Sequence, residues 1–337
     1  MKPYTTEKII RKLLGSNQPS IVYKTRRDLL DEDIENSKMQ NLREEIRNSH
    51  NCQSIISFIQ KDGTIHTNPY TKWQGPHWTL YSLALLEYPE GDQKLLGIRD
   101  QIYNWLFEEK HLNFPRSVLY PDQIERFRRC ASQEGNAIWY SIKLGLTDNR
   151  TDDLVKRLIK WQWPDGGWNC DKREEARKSS VMETLIPLRA LNLHKKVTKN
   201  TALDLTIEKT SNLFLKRKLL WQLSSKGLID ERFLKIQYPV QFFDLLFVLE
   251  VMGEIGIIKD PRCQEALQLL MNKQLPDGGF PLEIKNAKTS NERITRGSFA
   301  DWGPAGKTSS NEYVTVTALS ILKKAGILSL SEDVYNN

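Results

Sequence analysis

A phrase that occurs twice constrains this chain most. Gln162-Trp163-Pro164-Asp165-Gly166-Gly167-Trp168 returns as Gln274-Leu275-Pro276-Asp277-Gly278-Gly279-Phe280, displaced by 112 residues. The approach repeats at the same displacement, Asp148-Asn149-Arg150 matching Asp260-Pro261-Arg262. A shorter echo, Gln60-Lys61-Asp62-Gly63, lies about one hundred residues earlier. Self-similarity at a fixed displacement marks a repeated supersecondary unit.

In the second copy, residues 152–161 read DDLVKRLIKW, with an apolar face of Leu154, Val155, Leu158, Ile159 and Trp161. That spacing predicts a two-faced helix. Pro164 ends it, and Asp165-Gly166-Gly167 turns the chain because glycine takes positive φ without penalty. Ser179-Ser180 then opens a helix to about residue 194, with Glu183 placed as the capping-box partner of Ser180. The third copy repeats the plan with helices over 261–273 and 311–325, and the first with 54–60 and 75–88. Further helices are expected over 7–14, 21–30, 40–48, 98–107, 134–146, 206–220 and 242–257. No alternating run long enough for a sheet appears. Helices 134–146 and 242–257 are apolar nearly all round, which predicts burial, whereas 152–161 is two-faced and predicts an outer position. The expectation is all-α, an α/α toroid of inner and outer helices in about six hairpins, although an open stack of pairs shares most of these signals.

The Q…DGGW/F phrase at a helix–turn junction resembles the QW motifs of squalene cyclases, and more loosely the glycine-rich turns of protein prenyltransferase β subunits. Trp73-Gln74-Gly75-Pro76-His77-Trp78, Cys130-Ala131-Ser132-Gln133-Glu134-Gly135-Asn136 and Gly167-Trp168-Asn169-Cys170-Asp171 are similar to stretches of bacterial squalene-cyclase-like proteins. The resemblance implies an α/α toroid over residues 50–327 and a central cavity for an isoprenoid-like molecule. With N-terminal helices over 1–48 and no Pro/Gly/Ser linker interrupting the helical rhythm, one domain of 1–337 is expected. Two features of those families are missing. No Asp-x-Asp-Asp acid is present, the nearest strings being Asp31-Glu32-Asp33 and Asp152-Asp153. The zinc set of prenyltransferases does not map, because the last histidine is His194.

Bulk properties narrow the partners. The chain has 337 residues, 49 basic and 42 acidic, a net charge of +7 spread along two-faced helices. No nucleic-acid-binding motif accompanies that charge. The start of the chain lacks a signal-peptide core, and the apolar region 240–258 carries Asp244, Glu250 and Glu254, which argues against a membrane span. Four separated cysteines fit a reduced, cytoplasmic setting. Peripheral membrane contact and oligomeric state stay open. Nine tryptophans are available to fill gaps between helices or to line a cavity.

Candidate chemistry clusters at helix starts. Asp165 and Asp277 read as turn-forming carboxylates, since a catalytic acid is needed once and these recur. Arg128 to Asn136 packs cations, a thiol, a carboxylate and amides where a buried helix begins. Its plainest reading is an N-cap network led by Ser132; its functional reading is a site containing Arg129, Cys130, Glu134 and Asn136. Trp73, His77 and Trp78 place a titratable ring between two indoles. Glu183 and Glu312 open the second helices of their copies. Tyr238 and Asp244 flank helix 242–257. No motif requires a cofactor. Zinc suits the donor types if Cys130, Cys170, Asp171 and His77 converge.

Three functions follow as expectations. The first is an enzyme, a cyclase, isomerase or transferase acting on isoprenoids, with Glu134, Asp171, Glu183 and His77 as catalytic groups. Trp73, Trp78, Arg129, Cys130, Asn136, Trp168, Tyr238, Asp244 and Glu312 would then contact the substrate, aromatic faces stabilising cationic character. The second is a toroid that binds a ligand or protein without catalysis, which the missing Asp-x-Asp-Asp favours. The third is a carbohydrate-active enzyme using paired carboxylates.

Overall fold

The computed structural model describes residues 3–112, 117–119, 125–173, 175–223 and 227–330. The chain is mostly helical, as expected. It begins with α1 (Pro3–Leu14), α2 (Pro19–Lys24), α3 (Ser37–Asn48), α4 (His50–Ile56) and α5 (Pro76–Leu85). Then come α6 (Leu96–Phe107), α7 (Glu109–Leu112), α8 (Ala131–Lys143), α9 (Asn149–Trp161), α10 (Val181–Thr198) and α11 (Asp204–Lys216). The last three are α12 (Leu245–Ile255), α13 (Gln264–Met271) and α14 (Glu312–Lys324). Extended structure among the described residues is confined to short strand pairs and two isolated bridges, Arg128 with Asn169 and Pro281 with Ser310. β1 (Ser117–Leu119) and β2 (Glu125–Phe127) are antiparallel, while β3 (Gln237–Tyr238) with β4 (Ile284–Lys285) and β5 (Lys288–Thr289) with β6 (Gly297–Ser298) are parallel.

Two compact units result, one from described residues within 1–58, 82–89 and 227–337, the other within 59–81 and 90–226. In the first, α12 packs on α13 and α14, and α2 on α3 and α14. The apolar stretch expected to be buried is buried, Leu245, Val248, Leu249 and Met252 having no exposure. In the second, α8 packs on α10 and, more lightly, on α9 and α6. Ile138, Tyr140, Leu185, Leu188 and Leu191 of α8 and α10 are buried, and burying each aliphatic chain contributes about 1.5–3 kcal/mol.

The repeated phrase builds the same turn twice. Gln162 donates its amide to the Gly166 carbonyl at 3.0 Å, and Gln274 does the same to Gly278 at 3.0 Å. Trp163 N–H meets the Gly167 carbonyl at 2.8 Å, and Leu275 N–H meets Gly279 at 2.9 Å. Asp165 accepts from Ser179 Oγ at 2.5 Å, Asp277 from Ser310 Oγ at 2.8 Å. Thr184 Oγ1 accepts from Trp168 N–H at 3.1 Å, Thr315 Oγ1 from Phe280 N–H at 2.9 Å. The glycines are required by proximity. A Cβ on Gly167 would stand 2.6 Å from Thr184 Oγ1, and one on Gly279 would stand 2.5 Å from Ser310 Cβ. The aspartates therefore tie turn to helix, as the repetition suggests.

Several local expectations are corrected. The helix expected over 54–60 lies at His50–Ile56, because Ser49 caps it through Cys52 N–H. The helix over 21–30 widens into a π-helical turn at Thr25–Leu29. α10 runs on to Thr198 through Pro187. Ser180 does not cap it with its side chain; the Ser180 carbonyl accepts from Thr184 Oγ1 at 2.6 Å, and Glu183 points elsewhere.

Candidate functional site: a thiol–carboxylate cluster

The second unit assembles its site from a close helix crossing. Gly135 of α8 faces Pro187 of α10, and a Cβ at 135 would stand 2.8 Å from the Pro187 nitrogen. Proline has no N–H to return to the carbonyl four residues back, that of Glu183. Glycine below and proline above thus let two helix backbones touch. One turn earlier on α10, the contact delivers Glu183 to the start of α8.

There Glu183 Oε2 accepts the Ser132 N–H at 3.0 Å. It satisfies one of the free donors of the α8 terminus from another helix. The N-cap residue itself, Cys130, makes no side-chain cap. The expected network, with Ser132 as the capping residue, is corrected accordingly. Glu183 Oε1 also accepts from Cys170 Sγ at 3.6 Å. Cys170 follows the Gly166-Gly167 turn directly, so the repeat positions it. Cys130, Cys170 and Glu183 bring one donor atom each within 4.8 Å of one another, the one such metal-competent group among the described residues. Both thiols are partly exposed, and Glu183 is buried.

Their surroundings favour the protonated forms. Burial pushes the Glu183 carboxyl above its ordinary range, against the Ser132 and Cys170 hydrogen bonds. The hydrogen bond with Cys170, then burial, raise the Cys130 thiol. Tyr70, hydrogen-bonded to Gln133, is raised by burial and next by the Glu183 charge. Its ring also leads away from the cluster, lying 4.9 Å from His77, 5.7 Å from Trp78 and 5.7 Å from Trp105.

The other expected residues fall into distinct surroundings. Glu134 is buried and paired with His111 at 3.5 Å and Arg157 at 3.6 Å. Arg129 lies 4.3 Å over the Trp161 ring and donates to the His111 carbonyl. Asn136 is buried on α8. His77 has no exposure; its Nδ1 meets Tyr140 Oη at 3.4 Å, and burial drives its pKa down to about 3, so it is neutral at physiological pH. Trp73 and Trp78 pack on each other at 4.5 Å, and Trp168 donates its indole N–H to the Leu158 carbonyl at 2.9 Å. These indoles face protein atoms in the described state rather than open space.

Asp171 does not join the cluster. Arg173 grips it at 2.6 Å and holds its carboxyl down to about 2, a surface ion pair. Its carbonyl, with that of Ala176, accepts from Arg128, which pins the loop after the turn. The zinc set expected from sequence is therefore revised: Cys130 and Cys170 meet, with Glu183 in place of Asp171 and His77. Sequence reasoning missed Tyr70 and the Gly135–Pro187 crossing. An isolated glycine inside a helical pattern was the available signal for the second.

In the first unit, Tyr238 stacks on Tyr313 at 5.5 Å and meets Trp302 at 5.4 Å. Asp244 caps α12 through Phe247 N–H at 2.7 Å and accepts Gln237 N–H at 2.7 Å; burial raises it to about 7. Glu312 accepts from Ser16 Oγ at 2.6 Å and lines a cavity of about 350 Å3 with Lys12, Asp301 and Tyr313. Glu312 is not the counterpart of Glu183: matching Thr315 to Thr184 puts Val314 at that place.

No family model matches the chain, and no curated protein matches it. No helix among the described residues is long and apolar enough to cross a membrane.

Proposed function

We propose that this chain is a terpenoid-cyclase- or prenyltransferase-like α/α toroid that takes an apolar, isoprenoid-like molecule, with the polar end of the molecule at the Cys130–Cys170–Glu183 cluster. Tyr70 carries the reading. It touches His77, Trp78 and Trp105 and hydrogen-bonds Gln133, the neighbour of Ser132, whose N–H Glu183 takes. A greasy, ring-rich region thus adjoins the densest set of reactive side chains. Large π-faces suit the unsaturated body of an isoprenoid, and thiols with a carboxyl suit its functional end. Tyr70 is partly exposed, so it is the ring an entering ligand displaces. Without an Asp-x-Asp-Asp acid, the cluster and Glu134 are the groups left to do chemistry.

The test is incubation of the full chain with prenyl diphosphates and with triterpenoid lipid extract, read by native mass spectrometry and product analysis. Binding with turnover, both lost in Glu183→Gln and Cys170→Ser, is the expected result. Binding without product selects the non-catalytic toroid. An absence of binding in a folded protein ends the proposal.

A further inference from the structure

We infer that Cys130, Cys170 and Glu183 form a three-ligand site for a zinc-class divalent cation, with a fourth coordination position left for water or a substrate atom. The inference rests on reading this cluster as the functional centre and adds the ion it holds.

Geometry carries it. Around tetrahedral zinc, with bonds of about 2.3 Å to sulfur and about 2.0 Å to oxygen, neighbouring sulfur and oxygen ligands stand about 3.5 Å apart and two sulfurs about 3.8 Å. Cys170 Sγ and Glu183 Oε1 are 3.6 Å apart, and every donor pair lies within 4.8 Å. Closing round an ion asks the thiols for shifts within side-chain rotation. Glu183 already has the outer support that ligating carboxylates use, because its second oxygen is fixed by the Ser132 N–H at 3.0 Å. The three ligands come from three different segments, the α8 cap, the loop after the Gly-Gly turn and the first turn of α10. Arg128 ties two of them together through the Asp171 and Ala176 carbonyls. Both cysteines are only partly buried, which leaves an approach for the ion.

The donor set also selects the ion. Two thiolates favour zinc or its cobalt substitute over magnesium or calcium, which prefer oxygen. Three protein ligands with one open position are the pattern of sites where the metal polarises a bound group, whereas structural zinc is closed by four. On binding, the ion displaces the thiol protons to solvent, and no redox change occurs.

The experiment is metal analysis of the purified, reduced full chain, followed by cobalt titration of the chelator-treated protein. One zinc per chain is expected, with thiolate-to-cobalt charge-transfer absorption and the strong visible bands of a tetrahedral ion. Cys130→Ser and Cys170→Ser should each weaken cobalt binding by roughly tenfold or more and lower the charge-transfer intensity. Glu183→Gln should weaken binding while keeping both thiolate bands, and Cys263→Ser should change neither. Circular dichroism confirms that each variant is folded. A folded, reduced wild-type protein showing no cobalt charge transfer overturns the inference, as does a titration unchanged in Cys130→Ser and Cys170→Ser. Lipid binding by the metal-free protein would then leave the proposed function standing; metal uptake without lipid binding would remove that reading and keep this one.

Discussion

Helix α8 in one unit and α12 in the other are both buried, and both precede a copy of the repeated turn, yet they solve the same terminal problem differently. α12 is capped from within: Asp244, its N-cap residue, accepts the Phe247 N–H. α8 is capped from outside, its Ser132 N–H taken by Glu183 of α10. Outsourcing the cap releases the N-cap position, and Cys130 occupies it. The loop position after the turn differs in the same sense. Cys170 and Leu282 are separated by the same 112 residues as the two phrases, and Leu282 is fully buried. Glu183 corresponds to Val314. The third copy therefore keeps the main hydrogen bonds of the turn and none of the reactive side chains. What recurs is scaffold, and what does not recur is the candidate chemistry.

Rewriting one copy as the other breaks this comparison most directly. Combining Cys130→Asp, Cys170→Leu and Glu183→Val gives α8 its own cap and the loop an apolar anchor. The expected outcome is a folded protein, within about 2 kcal/mol of wild type by urea titration, because a lost cap is replaced by a local one. Cobalt and lipid binding should disappear entirely. Retention of either would show that the cluster is incidental.

The helix crossing comes next. Gly135→Val puts a branched side chain where even a Cβ meets Pro187 backbone at 2.8 Å. Backbone cannot yield as a flexible side chain does, so a loss of about 3 kcal/mol is expected in chemical denaturation. The crossing should also open enough to separate Ser132 from Glu183. A variant of unchanged stability would mean the helices do not approach as described.

These contacts show what a sequence carries and what it does not. The helices and the twin turns were legible because both rest on local rules, apolar spacing and the conformational freedom of glycine at Gly166 and Gly278, which adopt φ of 99° and 86°. Cys130 and Glu183 were legible as candidates from position alone. Their partnership was not, since it depends on how closely α8 and α10 cross. The local capping rule even pointed the wrong way: Glu183 sits three residues after Ser180, yet reaches across to Ser132. Asp171 shows the opposite error. Its place beside Cys170 suggested a shared site, but Arg173 two residues on captures it.

Burial raises both capping carboxyls, and Asp244 shows what pH then does. Burial raises Asp244 from 3.8 to about 7, so its folded form holds a proton that the unfolded chain releases. Unfolding then costs less as pH rises: the contribution is complete below about 3.8 and lost as pH passes through about 7. Asp244→Asn does not titrate. The stability gap between wild type and this variant should narrow from pH 4 to pH 7 and stay level above that, in urea titrations across the range. A gap that widens would show that the two N–H donors outweigh burial.

Smaller effects test whether the turns are equivalent. Asp165→Ala and Asp277→Ala each remove hydrogen bonds to a serine one loop away. Each should cost about 1–2 kcal/mol, and neither should alter cobalt binding. Asp165 takes both the N–H and the hydroxyl of Ser179, so a greater cost at Asp277 would mean that Lys12, 3.5 Å away, contributes more than an exposed pair usually does.

The smallest expected change has the opposite sign. Gly253 of α12 is a milder counterpart to Gly135: a Cβ there meets the Lys324 side chain at 3.3 Å, not backbone. Lys324 is exposed and able to swing aside. Gly253→Ala should therefore stabilise the protein by about 0.5–1 kcal/mol, because alanine restricts the unfolded chain and suits a helix interior. A calorimetric midpoint that rises for Gly253→Ala and falls for Gly135→Ala would separate a glycine kept for helix contact from one that is merely tolerated. If both fell, α12 and α14 would be packed as tightly as α8 and α10, and close approach alone would no longer explain why the reactive cluster formed in one unit only.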